Sequence, residues 1–140
     1  MRRGAVFLDT SAWLAALSTR EDRHAECAEE FDQIVGKRTP VITTNLVIAE
    51  MHGLLVRRRG GVHGLTLLDL VHDDPSYEVI HADRALEARA TDDWLRRFSD
   101  TRLSITDAVS FQVMREGGLN DAFTLDQHFE VAGYRMIPRS

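Results

Sequence analysis

Four acids stand out by position: Asp9 directly after the apolar run "AVFL", Glu50 within "TNLVIAEM", Asp107 within "LSITDAVSF", and Asp126 directly after "AFTL". Asp9 and Asp126 close runs short enough to be strands, and open α/β sheets carry their functional crevice at strand carboxyl ends. An aspartate there can also serve simply as the N-cap of the next helix. Asp107 falls on one helical stripe with the apolar Phe111 and Met114, and the spacing "SITD" also offers it a capping-box role with Ser104. Glu50 lies at the edge of the stripe Val47, Met51, Leu54, where a glutamate is often only a solvated charge. Ionised carboxylates on apolar faces are unfavourable unless paired, hydrogen-bonded or metal-bound, and acids crowded together raise one another's pKa unless a cation sits among them. Oxygen-only ligands select hard ions, so Mg2+ or Mn2+ is expected at this cluster. One such ion, or a pair about 4 Å apart, activates water and stabilises the oxygens of an in-line attack on phosphorus.

To bring these acids together the chain must alternate strands with helices, and its patterning does so. Strand-length apolar runs recur at "AVFL", "PVITT", "YEVIH", "DAFTL" and "YRMI". Between them the spacing predicts a short helix from Asp9 to about Leu17, then a longer one presenting Ala28, Phe31 and Val35. A helix over 44–58 uses Val47, Met51, Leu54 and Leu55 and stops at "RRRGG", and one over 62–72 uses Leu65, Leu68 and Val71. Further helices are expected over about 82–98 and 105–116, with a single turn at "QHF" after Asp126. The result is a single domain over 1–140: a three-layer α/β/α fold around a mostly parallel central sheet of four to five strands. Asp121 opens the fourth strand, roughly 16 Å of extended chain from Asp126, so it belongs to the far end of the sheet. Asp92 and Asp93 sit mid-helix among arginines and read as ion-pair partners.

Composition limits the function. A net charge of −5 argues against holding nucleic acid by bulk positive potential, although all but one of the 17 basic residues are arginine, whose planar fork suits local phosphate contacts. Cys27 is the single cysteine, which excludes an intrachain disulfide and a cysteine zinc site and leaves it as a small apolar helix residue. The six histidines contain no H-x-x-x-H pair, so a zinc hydrolase is not expected. The opening "MRRGAVFLDT" has a basic start but an apolar run of four residues, against about seven needed for secretion, and no membrane span is present; a cytoplasmic location is expected.

The segments "FLDTSAWLA", "TNLVIAE", "LSITDAVSF" and "AFTLDQHF" resemble, in order and approximate spacing, the four acidic motifs of PIN-domain ribonucleases, especially the VapC toxins of toxin–antitoxin pairs. The resemblance covers nearly the whole chain and implies a PIN-like fold. It implies that Asp9, Glu50, Asp107 and Asp126 are the catalytic, metal-binding acids, and that Ser11, at the hydroxyl position of "DTS", orders Asp9 or a water at the metal. Ser11 also suits a helix start, and Thr106 and Thr124 match further recurrent hydroxyl positions. Magnesium- or manganese-dependent hydrolysis of RNA to 5′-phosphate and 3′-hydroxyl ends follows from the same resemblance, as do a homodimer and a VapB-like antitoxin partner.

Other residues carry two readings each. Arg57, Arg58 and Arg59 could grip RNA phosphate or an antitoxin, or could complement a helix dipole; Arg96 and Arg97 suit a partner contact or a solvated face. His128, one short turn after Asp126, could join the site, and Trp13 could stack on a base, as an alternative, for Trp13 as for Trp94, to a core or interface role. Competing functions are a housekeeping RNA-processing nuclease, an inactive PIN-like interaction module, and a receiver- or phosphatase-like doubly wound domain. Against the last, "DTS" lacks a second aspartate and Lys37 is the only lysine.

Overall fold

A computed structural model describes residues 4–139; the basic start, with Arg2 and Arg3, lies outside the described residues. In chain order the elements are β1 Val6–Leu8, α1 Thr10–Leu17, α2 His24–Gly36, β2 Val41–Thr44, α3 Asn45–Arg59, α4 Gly61–Asp73, β3 Tyr77–Ile80, α5 Arg84–Ala90, α6 Ile105–Gly117, β4 Asp121–Phe123, α7 His128–Val131 and β5 Arg135–Ile137. All five expected strands form, and every pairing is parallel, in the order β3-β2-β1-β4-β5.

The order explains the layers. From β1 the chain steps to β2 and β3 in one direction, then crosses back to β4 on the other side of β1 and continues to β5. Right-handed crossovers therefore put α1 to α4 on one face and α5 to α7 on the other. The aromatic contacts agree: Phe31 of α2 stacks on Phe123 of β4, centroids 5.8 Å apart, whereas Phe129 of α7 meets Phe7 of β1 and stands edge-on to Phe111 of α6 at 4.8 Å. Residues 6–8 are all buried because β1 is covered on both faces, which is why "AVFL" reads as a continuous apolar run rather than an alternating one. The direction of winding reverses between β1 and β4, and this places the crevice beyond Leu8 and Phe123.

Several expected faces shift by a residue. In α2 the buried residues are Cys27 and Ile34, while Val35 is 56% exposed, so the core stripe runs Cys27, Phe31, Ile34. In α4 it is Gly64, Leu67 and Val71 that face inward, and Leu65 is 59% exposed. The cause is the tight α3–α4 hairpin: a Cβ added at Gly64 would lie 2.7 Å from Val56 Cγ2 and 2.8 Å from His52 Nε2, so only glycine allows the two helices this approach. The helix expected over 82–98 starts at Arg84, with Asp83 capping Leu86, and widens into a π turn at Thr91–Leu95. That turn buries Trp94, whose indole N–H donates to Gln112 Oε1 at 3.0 Å. Trp13 is fully buried and stacks on Tyr77, which removes it from any role in base stacking.

Candidate metal centre

Asp9 occupies the N-cap position of α1 with extended backbone (φ −101°, ψ 154°), yet its side chain caps nothing. Instead its Oδ2 accepts two hydroxyl bonds, from Ser11 at 2.9 Å and from Thr124 at 2.7 Å. Both fall on one oxygen, so the lone pairs of Oδ1 remain for another partner. The hydroxyls are positioned by strand geometry. Ser11 Oγ also accepts the backbone N–H of Leu125 at 2.9 Å, and Thr124 Oγ1 accepts that of Asp126 at 3.0 Å. The ends of β1 and β4 are thereby stitched together just beyond the sheet.

Asp9 is only 6% exposed, and burial pushes its carboxyl up to about 6. The Thr124 and Ser11 hydroxyls oppose the rise, and the negative charges of Asp107 and Asp126 add to it. Asp107 is half-buried at the start of α6 and its carboxyl is also raised, chiefly by burial and further by Asp126; its bonds to Ser104 and the nearby His128 act the other way. The capping box expected from "SITD" is present, with Asp107 N–H on Ser104 Oγ at 3.1 Å and Ser104 N–H on Asp107 Oδ2 at 3.3 Å. Asp126, also half-buried, accepts the His128 N–H on Oδ1 at 2.9 Å, and the His128 Nδ1 lies 3.2 Å from the same oxygen.

Three acids from remote parts of the chain therefore meet at one strand-end crevice. Ligand atoms of Asp107, Asp126 and His128 lie within 4.8 Å of one another, and the Asp9 carboxylate feels both Asp107 and Asp126. Among the described residues no arginine or lysine pairs with any of the three aspartates. Glu50 does not join the tight group: it is exposed on α3, without an ion pair or hydrogen bond among the described residues. Of the remaining expectations, Ser11 and Thr124 both reach Asp9, whereas the Thr106 backbone carbonyl accepts the Ser110 hydroxyl at 2.8 Å. Asp121 pairs with Arg135 at the far end of the sheet, and Asp92 and Asp93 pair with Arg96 and Arg115. Arg58 pairs with Glu21, and Arg59 lies 3.4 Å from His63, which occupies two of the three arginines in the α3 cluster.

What spacing did not disclose is the double duty of the hydroxyls. Ser11 is three residues past β1 and Thr124 is the first residue past β4, so their reach to a single carboxylate oxygen depends on β1 and β4 being neighbours, which periodicity does not specify.

The donor set fits a hard divalent cation: carboxylate oxygens in a partly buried crevice, mutually repelling and uncompensated by any protein cation. Comparisons with known proteins point the same way. The model of the PIN domain family matches residues 6–133. The chain is 32% identical over 129 residues to the 23S rRNA-specific endonuclease VapC20 of Mycobacterium tuberculosis, covering 92% of this chain and 95% of that protein. The crystal structure of the same relative, described as a sarcin-ricin loop cleaving toxin, superposes with a TM-score of 0.79 at 31% identity over 92% of this chain and 95% of that one. FitAcB from Neisseria gonorrhoeae shares the fold, with a TM-score of 0.64 at 14% identity over 94% of this chain and 95% of that chain.

Proposed function

The chain belongs to the PIN domain family, and from that premise we propose that it is a divalent-metal-dependent endoribonuclease, the toxin of a type II toxin–antitoxin pair. One observation carries the reading: a buried carboxylate, Asp9, that caps no helix, is gripped by two hydroxyls on one oxygen, and faces two further acids with no protein cation among them.

Asp9, Asp107 and Asp126 would hold Mg2+ or Mn2+, with Glu50 added from α3. The ion, when bound, supplies positive charge that activates water and stabilises charge developing on phosphate oxygens. The protein's own groups prepare for it. Thr124 and Ser11 fix the Asp9 rotamer and, by donating to it, favour its charged form. The Leu125 N–H locks Ser11, the His128 N–H orients Asp126, and the capping box holds Asp107 at the first turn of α6. Glu50 is unrestrained and solvated, and so is the acid free to adjust. Hydrolysis at such a site leaves a 5′-phosphate and a 3′-hydroxyl.

Because the Mycobacterium relative is named for 23S rRNA, a structured ribosomal hairpin is the first substrate to test. Exposed apolar side chains on α4 (Val62, Leu65) and α7 (Val131) suit protein partners, for which a VapB-like antitoxin and a second copy are proposed. No helix among the described residues is long and apolar enough to cross a membrane; a cytoplasmic location is proposed with the RNA substrate. Membership of the PIN family displaces the receiver and phosphatase readings; the retained set of acids speaks against an inactive scaffold. A housekeeping nuclease would use the same chemistry, and a small neighbouring antitoxin gene separates it from a toxin.

The test is to incubate purified protein with structured and unstructured RNA, with manganese and with chelator, and to map the ends. Metal-dependent cleavage with 5′-phosphate products is expected; no cleavage of any RNA in manganese would overturn the proposal.

A further inference from the structure

His128 is not among the four motif acids, yet it lies beside two of them, Asp107 and Asp126. Among the described residues the candidate ion-holding group is Asp107, Asp126 and His128, with one ligand atom of each within 4.8 Å of the others. Donors on opposite sides of a single ion, at bonds of about 2.1 Å, stand roughly 4.2 Å apart, so side-chain movements of a few tenths of an ångström bring all three within bonding distance.

The bland role for His128 is to orient Asp126, but the backbone already does so, through the N–H bond to Oδ1 at 2.9 Å. The ring is therefore not needed for the turn. It is nonetheless held in place, since it lines a small apolar slot with Trp94, Phe98, Phe111 and Val131, and Phe129 beside it is fully buried. Among the described residues every ion pair to Asp126 involves His128, and Asp9 and Asp107 have none. An external cation is the missing counter-charge, and an imidazole nitrogen is ready beside it.

We propose that His128 donates a ring nitrogen to the divalent ion alongside Asp107 and Asp126, giving a mixed nitrogen–oxygen site that favours first-row transition ions over magnesium. The inference rests on the metal-dependent reading above and refines it. Purely oxygen sites suit magnesium, which sheds water reluctantly, while each imidazole donor tilts affinity toward manganese, cobalt and zinc.

The experiment uses the full chain after chelator treatment. Pulsed electron paramagnetic resonance of bound Mn2+ is expected to show nitrogen-14 modulation in the wild type and none in His128→Ala. Titration calorimetry is expected to show Mn2+ affinity falling roughly tenfold in His128→Ala with Mg2+ affinity changed less than about twofold, the order of loss seen when groups supporting a metal are removed. His128→Asp, which restores an oxygen donor, is expected to raise Mg2+ affinity relative to Mn2+, and circular dichroism of both variants tests that they fold. If wild type binds no Mn2+, the metal reading itself fails. If it binds Mn2+ without nitrogen modulation, and the Mn2+ to Mg2+ ratio is the same in His128→Ala, the His128 inference alone is overturned and the ring is a positioning group for Asp126.

Discussion

Replacing Asp9 with asparagine separates a metal ligand from a structural cap, because the two roles give stability changes of opposite sign. The folded-state carboxyl titrates at about 6 against an ordinary value of 3.8. Burial is the main cause, so the charged form is disfavoured in the fold and favoured in the unfolded chain. A group raised in this way contributes stability that is complete below about pH 3.8 and is lost as the pH rises through about 6. The shift of about two units corresponds to roughly 3 kcal/mol by pH 8. Asparagine keeps an oxygen for the Ser11 and Thr124 hydroxyls and removes the charge. In chelator at pH 8, Asp9→Asn is therefore expected to be more stable than wild type by up to about 3 kcal/mol, or roughly 10 °C in Tm for a domain of this size. The gap should close below pH 4. Saturating Mn2+ should stabilise the wild type and leave the variant unchanged, because only an ion that prefers the folded state shifts the equilibrium. The same variant should lose manganese-dependent RNA cleavage. Thermal melts across pH 4 to 8, with and without metal, decide it: a clear drop in Tm for Asp9→Asn in chelator at pH 8 would refute the reasoning and restore the capping explanation.

Thr124→Val deletes the shorter hydroxyl bond to Asp9 and leaves the Asp126 N–H without its acceptor, so the acid limb of a pH–rate profile should move upward and stability should fall by about 1–3 kcal/mol in denaturant titrations. Glu50→Gln, at an exposed residue without a partner, should weaken metal binding in calorimetry while Tm in chelator stays within about 0.5 kcal/mol of wild type. Gly64→Ala places a methyl 2.7 Å from a stiff valine branch at the α3–α4 crossing and should destabilise the fold by about 1–3 kcal/mol, read as a shift in the urea midpoint. Gln112→Leu strands the indole N–H of Trp94 in the core and should cost about 1–3 kcal/mol, with a change in tryptophan emission.

The fold was legible wherever pattern and burial share one cause. The run Ala5 to Leu8 is apolar throughout because β1 is covered on both faces, and the same property identified it as a strand. Ser104 and Asp107 announced the start of α6 because a capping box is local chemistry, and Gly118, at φ 67°, ends it for the same kind of reason. Faces were misread where contact between elements decides orientation. Leu65 points to solvent because Gly64, not a larger residue, marks the α3–α4 contact, and no property of residues 62–72 taken alone contains that information. The site divides in the same way. Asp9 and Asp126 could be placed from strand ends, whereas the exposure of Glu50 and the approach of His128 to Asp107 depend on the angles at which α3 and α7 leave the sheet.

That division has a physical consequence for the site. Its strand-end half is rigid: the Asp9 backbone N–H donates to Phe123 at 3.1 Å, Ser11 and Thr124 share Asp9 Oδ2, and the Leu125 and Asp126 amides close the network between adjacent central strands. Its helix half is graded in freedom, from Asp107 fixed in a capping box, through His128 on the four-residue α7, to Glu50 without restraint. Magnesium demands a near-ideal octahedron, and a wholly rigid set of acids would have to satisfy it in advance. Here one rigid carboxylate oxygen, the Oδ1 of Asp9, would define where a cation sits, and the freer groups would adapt around it. Affinity would then depend on keeping Asp9 ionised, which Thr124 and Ser11 promote against burial, and the choice among ions on which helix-borne donor completes the shell.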